Sequence, residues 1–250
     1  MNGRLVIAGL GPGSERLITP EVSDALATAT DVLGYIPYVT RVADRPGLTK
    51  HLSDNREELD RARHALKLAV AGGQVVIVSS GDPGVFAMAA AVFEAVEAGP
   101  APWRALSIEV LPGITAMLAA AARAGAPLGH DFCTINLSDN LKPWGLIEQR
   151  LRLAAEADFA MAFYNPRSKS RPEQFARALD VLKTSCADAR PVIFARAVST
   201  PEEVIRIVPL TGATPEMADM RTVVIVGSSR TRMIDRDGTP FVYTPRSVPE

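Results

Sequence analysis

Short apolar runs, each closed by glycine or proline and followed by a helix-period stretch, recur along this chain. "LVIAGL" at residues 5–10 ends in Gly11-Pro12-Gly13. "QVVIVS" at 74–79 runs into "SGDPG", and "LSIEVL" at 106–111 ends in Pro112-Gly113. Runs this brief and this apolar read as strands covered on both faces. Alternation of such strands with helices requires crossover connections. The pattern therefore confines the chain to βαβ units and parallel or mixed sheets.

The same rhythm places further strands at 31–35, 133–137, 159–164, 191–195, 203–209 and 223–226. Helices are expected at 57–71, 85–98, 115–123, 144–157 and 172–184, and from Thr19 to about residue 30. Thr19 is suited to cap that first helix, with Pro20 in its first turn. Gly72-Gly73 suits a helix end. Residues 37–53, rich in Arg, Pro and Gly, read as a polar loop. Two successive series imply two α/β domains with mixed, mainly parallel sheets, residues 1–113 and 114–250. A chain of 250 residues is long enough for both.

Charge and cysteine usage narrow the classes. Lys plus Arg is 27 and Asp plus Glu is 28, so no global field draws nucleic acid. Cys133 and Cys186 are the only cysteines and have no metal-ligand spacing, which suits a reducing cytosol and predicts no metal. No stretch approaches the roughly 20 apolar residues of a membrane span. The opening "MNGRLVIAGLGPG" reads as a first strand and turn rather than a signal peptide.

In open α/β sheets, ligands sit beyond the carboxyl ends of the strands. Here those ends carry GLGPG, SSGDPG, LPGITA, LSDN and YNPRSK. Turns alone would explain any one of them, but not the set. Gly9, Gly11 and Gly13 give GxGxG rather than GxGxxG, and Pro12 removes an N–H that a dinucleotide would want. Asp31 precedes its strand instead of ending it. No GKS or GKT follows. A nicotinamide-dependent oxidoreductase and a P-loop enzyme are both disfavoured.

GLGPG at 9–13, SSGDPGVFAMA at 79–89, LPGITA at 111–116 and "RA" at 196–197 resemble the tetrapyrrole (precorrin) methylases over essentially the whole chain. "GYIPYV" at 34–39, "GHDFCTINLSDNLKPW" at 129–144 and "FYNPRSKSR" at 163–171 are similar to one branch of that family. Two positions depart: Ser14 stands where many members carry Asp, and Phe86 replaces a common Tyr. The resemblance implies the class III methyltransferase fold, with an active-site trough between two domains, a homodimer and a cytoplasmic location. It implies S-adenosylmethionine as methyl donor and S-adenosylhomocysteine as product. The implied substrate is precorrin-3B, methylated at carbon 17 and ring-contracted to precorrin-4 in cobalamin (vitamin B12) synthesis. The cobalt-bearing counterpart of the anaerobic pathway is the alternative.

The residues then take expected roles. The family match places Pro12, Ser80, Gly81, Asp82, Phe86, Thr115, Ala116, Tyr164, Ala195 and Arg196 at the donor. Methyl transfer from a sulfonium needs chiefly alignment. Contraction should need a proton removed, and Asp82, His130, Asp131, Asp139 and Tyr164 are the candidate bases. Asp82 also suits an Asx turn or cap, His130 a structural role, and Asp139 the cap of the following turn. The substrate's acetates and propionates call for cations. Arg167, Lys169 and Arg171 cluster after one strand, Arg41, Arg45 and Lys50 follow Tyr35, and Lys142 lies near Trp144. Of these, Tyr35, Arg41, Lys142, Arg167, Lys169 and Arg171 are expected at the substrate, although the 41–67 region also holds enough acids to be a solvated face. A tetrapyrrole carrier without turnover would share these cations.

Overall fold

The computed structural model describes residues 3–247. These fall into two compact units that divide after Thr115.

The first unit follows β1 (Arg4–Gly9), α1 (Pro20–Thr28), β2 (Asp31–Tyr35), α2 (Ile36–Val39), β3 (Thr49–Ser53), α3 (Glu58–Val70), β4 (Gln74–Ser79), α4 (Met88–Ala98), α5 (Ala101–Arg104) and β5 (Ser107–Leu111). Its sheet runs β3-β2-β4-β1-β5, and every pairing is parallel. Alternation within each strand explains the unbroken apolar runs. Leu5, Ile7, Val75 and Ile77 pack with buried side chains of α3 and α4. Val6, Ala8, Val76 and Val78 pack with Val22 and Ala25 of α1. Both faces are covered, so neither needs polar residues. Thr19 does cap α1, accepting the Val22 amide at 3.4 Å.

Residues 37–53 are not one loop. "IPYV" forms the single turn α2, and "TKHLS" forms β3 on the sheet edge. An edge strand has one neighbour and little apolar demand, so its polar sequence concealed it. Helix α4 starts at Met88 instead of 85, because Phe86 takes φ 53° and Ala87 is extended.

The second unit contains α6 (Ala116–Ala124), β6 (Gly125–Ala126), β7 (Phe132–Asn136), α7 (Trp144–Glu156), β8 (Ala160–Tyr164), α8 (Gln174–Ser185), β9 (Pro191–Arg196), β10 (Val204–Pro209), β11 (Thr222–Val226), β12 (Arg232–Ile234) and β13 (Phe241–Tyr243). The main sheet is β10-β9-β11-β8-β7. Strands β7 and β8 pair in parallel, and β11 runs antiparallel to both β8 and β9. Carboxyl ends of β7, β8 and β9 therefore share one edge. Met161, Phe163, Val192 and Phe194 face α7 and α8, while Ala162, Ile193 and Ala195 face α6. A small sheet, β12-β13-β6, completes the unit.

Candidate functional site

In the first unit the strand order puts β4, β1 and β5 side by side, with their carboxyl ends on one edge. The loops that leave them are stitched together by backbone. Gly81 donates its amide to the Gly11 carbonyl at 2.9 Å, and Gly11 donates back to Gly81 at 3.2 Å. Both glycines sit at positive φ, 65° for Gly11 and 64° for Gly81, which L side chains rarely adopt. A Cβ on Gly113 would lie 2.2 Å from the Gly81 carbonyl oxygen, so the third loop also approaches too closely for any side chain.

Asp82 ties these turns together. Its Oδ1 accepts the Gly84 amide at 2.8 Å and its Oδ2 accepts the Gly113 amide at 3.1 Å. The first contact is the Asx turn expected from sequence. The second, between two strand-end loops, had no sequence signal. Pro83 is buried and Ser80 half-buried beside it. Phe86, 47% exposed, is held in a left-handed conformation on the same loop. A non-glycine residue held there marks a constraint imposed by its surroundings. Thr115 is buried two residues beyond Gly113. Thus Pro12, Ser80, Gly81, Asp82, Phe86 and Thr115 lie on neighbouring strand-end loops of one sheet edge.

Tyr35 ends β2 on that edge and stacks edge-on against Tyr38, with centroids 5.3 Å apart. Burial pushes the Tyr38 hydroxyl pKa up. Arg41 donates from Nη2 to the carbonyls of Leu10 at 2.7 Å and Gly13 at 3.1 Å. Arg45 and Lys50 are likewise engaged, Arg45 with the Leu26 carbonyl at 3.1 Å and Lys50 with Asp44 at 2.7 Å.

The second unit gathers its own set at the shared edge of β7, β8 and β9. The Tyr164 hydroxyl accepts the Met117 amide at 2.9 Å, in the first turn of α6 beside Ala116. Asn165 takes φ 50° and donates to the Asn136 side chain at 3.2 Å. Asp139 accepts from Gln174 at 3.0 Å. Arg196, next to buried Ala195, donates to Asp219 at 2.8 Å. Burial acts to raise the Asp219 pKa, but hydrogen bonds from Thr222, Arg196 and the Arg221 amide outweigh it and hold the carboxyl below its ordinary value. The Asp219 partnership was invisible in the sequence.

The basic cluster divides. Lys169 is exposed and Arg167 half-buried, whereas Arg171 is 7% exposed and donates to the Asn165 carbonyl at 3.2 Å. Burial lowers the Arg171 pKa. Arg171 anchors the loop that carries the other two cations. Lys142 is half-buried, and burial, with Arg150 nearby, lowers its pKa. His130 lies elsewhere. It precedes β7, at the opposite end of the sheet from Asp139 and Tyr164, and its Nδ1 accepts the Asp131 amide at 2.8 Å. Asp131 shares its displacement.

A parallel sheet with bridged glycine turns at its carboxyl edge, joined to a mixed α/β unit, accords with the sequence match. The chain belongs to the tetrapyrrole (corrin/porphyrin) methylases, whose model matches residues 4–214. A precorrin-3B C(17)-methyltransferase from Sinorhizobium sp is 56% identical over 247 residues, covering 98% of this chain and 97% of its own. The crystal structure of the methyltransferase CobJ superposes with a TM-score of 0.93 at 65% identity, covering 97% of this chain and all (100%) of that one. A uroporphyrin-III C-methyl transferase from Thermus thermophilus, solved with S-adenosyl homocysteine, shares the fold at a TM-score of 0.65 and 23% identity, covering 90% of this chain and 97% of that one.

Proposed function

We propose that this protein transfers a methyl group from S-adenosylmethionine to carbon 17 of precorrin-3B and contracts the macrocycle to precorrin-4, a step of cobalamin synthesis. The near-full-length 56% identity to the Sinorhizobium methyltransferase carries this reading. The loops of the first unit fit a donor of this chemistry. Gly11 and Gly81 present bare backbone in a fixed shape, and Phe86 offers an exposed apolar ring beside them. Pro12, Ser80, Gly81, Asp82, Phe86 and Thr115 would hold it there, and the family resemblance adds Ala116, Tyr164, Ala195 and Arg196 to the expected donor contacts. The donor supplies an electrophilic methyl on a sulfonium whose leaving group is a neutral thioether.

The protein's own contribution to methylation is alignment. Rigid loops that fix two reactants in line supply much of the barrier reduction. Stitched turns serve this better than mobile ones. Contraction adds a proton transfer, for which Asp139 and Tyr164, after β7 and at the end of β8, remain candidate bases. Arg167 and Lys169 would meet substrate carboxylates. No helix among the described residues is long and apolar enough to cross a membrane. We place the enzyme in the cytoplasm, as a homodimer, in line with its family.

Incubation with precorrin-3B and S-adenosylmethionine tests the reading. A product heavier by one methyl, with the changed visible spectrum of a contracted ring, is the expected result. A parallel assay with the cobalt-bearing substrate decides which form is used. Binding without S-adenosylhomocysteine release would leave only a carrier.

A further inference from the structure

Arg41 follows α2, thirty residues from the first glycine turn, yet its side chain closes on that turn. Besides Leu10 and Gly13, its Nη1 reaches the Gly11 carbonyl at 3.5 Å. Three carbonyls of residues 10–13 therefore converge on one side chain. Without a cation their aligned dipoles would repel and rotate toward water. A planar guanidinium holds its donors in a fixed fork, whereas an ammonium is a compact point charge whose three donors rotate on a flexible stem. The Gly11 carbonyl is also the acceptor for the Gly81 amide at 2.9 Å. Arg41 thus touches the hinge of the bridge between two strand-end loops.

We propose that Arg41 is a positioning residue for the methyl donor, bracing the Gly11-Pro12-Gly13 turn and, through the Gly11 carbonyl, the Gly81 turn. This rests on the methyl-transfer reading above and replaces the substrate-carboxylate role expected for Arg41 from sequence. The fork that would receive a carboxylate is already closed on backbone. Its desolvation is real: burial lowers the Arg41 pKa, with Tyr38 and Glu15 opposing the shift. The contribution to donor affinity is made through loop shape. A guanidinium in direct contact with a sulfonium would repel it.

The test compares wild type with Arg41→Met and Arg41→Lys by calorimetric titration with S-adenosylhomocysteine, tetrapyrrole binding by absorbance, and hydrogen exchange at the Gly81 amide. Arg41→Met should weaken S-adenosylhomocysteine binding by about 10-fold, the size expected if part of the loss of charged hydrogen bonds to the turn is passed to the donor. The donor KM should rise more than kcat falls. Arg41→Lys should recover part of the loss, and Gly81 exchange should quicken in both variants. Unchanged donor affinity with lost tetrapyrrole affinity would return Arg41 to the substrate and overturn the proposal. So would unaltered exchange at Gly81. If wild type itself bound no S-adenosylhomocysteine, the methyl-transfer reading would fall, while the exchange rates would still decide the brace. If Arg41→Met does not fold, Arg41→Lys alone carries the same comparison.

Discussion

The carboxylate of Asp82 accepts the Gly113 amide at 3.1 Å, thirty-one residues away, while its other oxygen accepts the Gly84 amide at 2.8 Å. One acidic side chain therefore holds the turn after β4 to the turn after β5. From sequence, this acid was a candidate base for ring contraction as well as a cap. Asp82→Asn can keep only one of the two bonds, because its amide nitrogen must face the other N–H. The loss should destabilise the protein by about 1–2 kcal/mol, read by thermal denaturation. Donor affinity should fall with it. Methylated and contracted products should then decline together under single turnover. Accumulation of a methylated, uncontracted product would instead make the carboxylate a base.

Gly113→Ala should be more damaging than its size implies. The added Cβ would sit 2.2 Å from the Gly81 carbonyl and 2.8 Å from the Gly9 carbonyl, all backbone atoms in stitched turns. Backbone cannot swing away as a flexible side chain can. The expected cost is about 1–3 kcal/mol from overpacking, with loss of donor binding measured by titration. Gly145→Ala, in α7 with open space at its Cβ, should be neutral or stabilising by comparison.

These contrasts show what the sequence could and could not reveal. Strands β1 and β4 were legible because both faces are buried and the apolar run is unbroken. Gly11 and Gly81 were legible as loop residues because glycine and proline punctuate the strand ends. Strand β3 was not, since an edge strand reading "TKHLS" carries no such run. Strands β12 and β13 were too short, at three residues each, to leave a pattern. Arg41 looked like a ligand for anions because an arginine grouped with Arg45 and Lys50 in a polar stretch gives no sign of the carbonyls it will meet. Asp219 gave none either, because its partner Arg196 lies on another element.

The cations after β8 are expected to separate by function. Arg167→Ala with Lys169→Ala should weaken tetrapyrrole binding and leave S-adenosylhomocysteine affinity nearly unchanged. Arg171→Ala should behave differently, because it removes a buried anchor of the Asn165 carbonyl. Its principal effect should be a loss of about 1–3 kcal/mol in unfolding free energy. Denaturant melts of the double variant and of Arg171→Ala distinguish the cases. Equal destabilisation by both would refute the division.

Tyr164→Phe removes the hydroxyl that accepts the Met117 amide. First-turn amides of a helix have no partner within it, so this donor would lose its acceptor. A loss of about 1 kcal/mol in stability is expected, together with faster hydrogen exchange at Met117. Full protection at that amide in the variant would show that another acceptor had replaced the hydroxyl.

The Arg196–Asp219 pair carries a pH signature. The Asp219 carboxyl is held below its ordinary value, since bonds from Thr222, Arg196 and the Arg221 amide outweigh the opposing effect of burial. A lowered folded value means that the unfolded chain binds its proton first as pH drops. Stability from this group is therefore fully present above the ordinary aspartate value near about 3.9. It is lost as pH falls through the lower, folded value. The side chain is 46% exposed, so salt should screen much of the effect. In Asp219→Asn this component of the acid limb disappears. The stability difference between wild type and variant should shrink as pH falls below about 4 and should shrink again at high ionic strength. The same variant frees Arg196 from its partner at the edge of β9. Donor affinity should then fall at neutral pH, where the fold itself is little changed. A variant whose stability gap is independent of pH would show that Asp219 acts through packing alone, and one with wild-type donor affinity would remove Arg196 from the donor site.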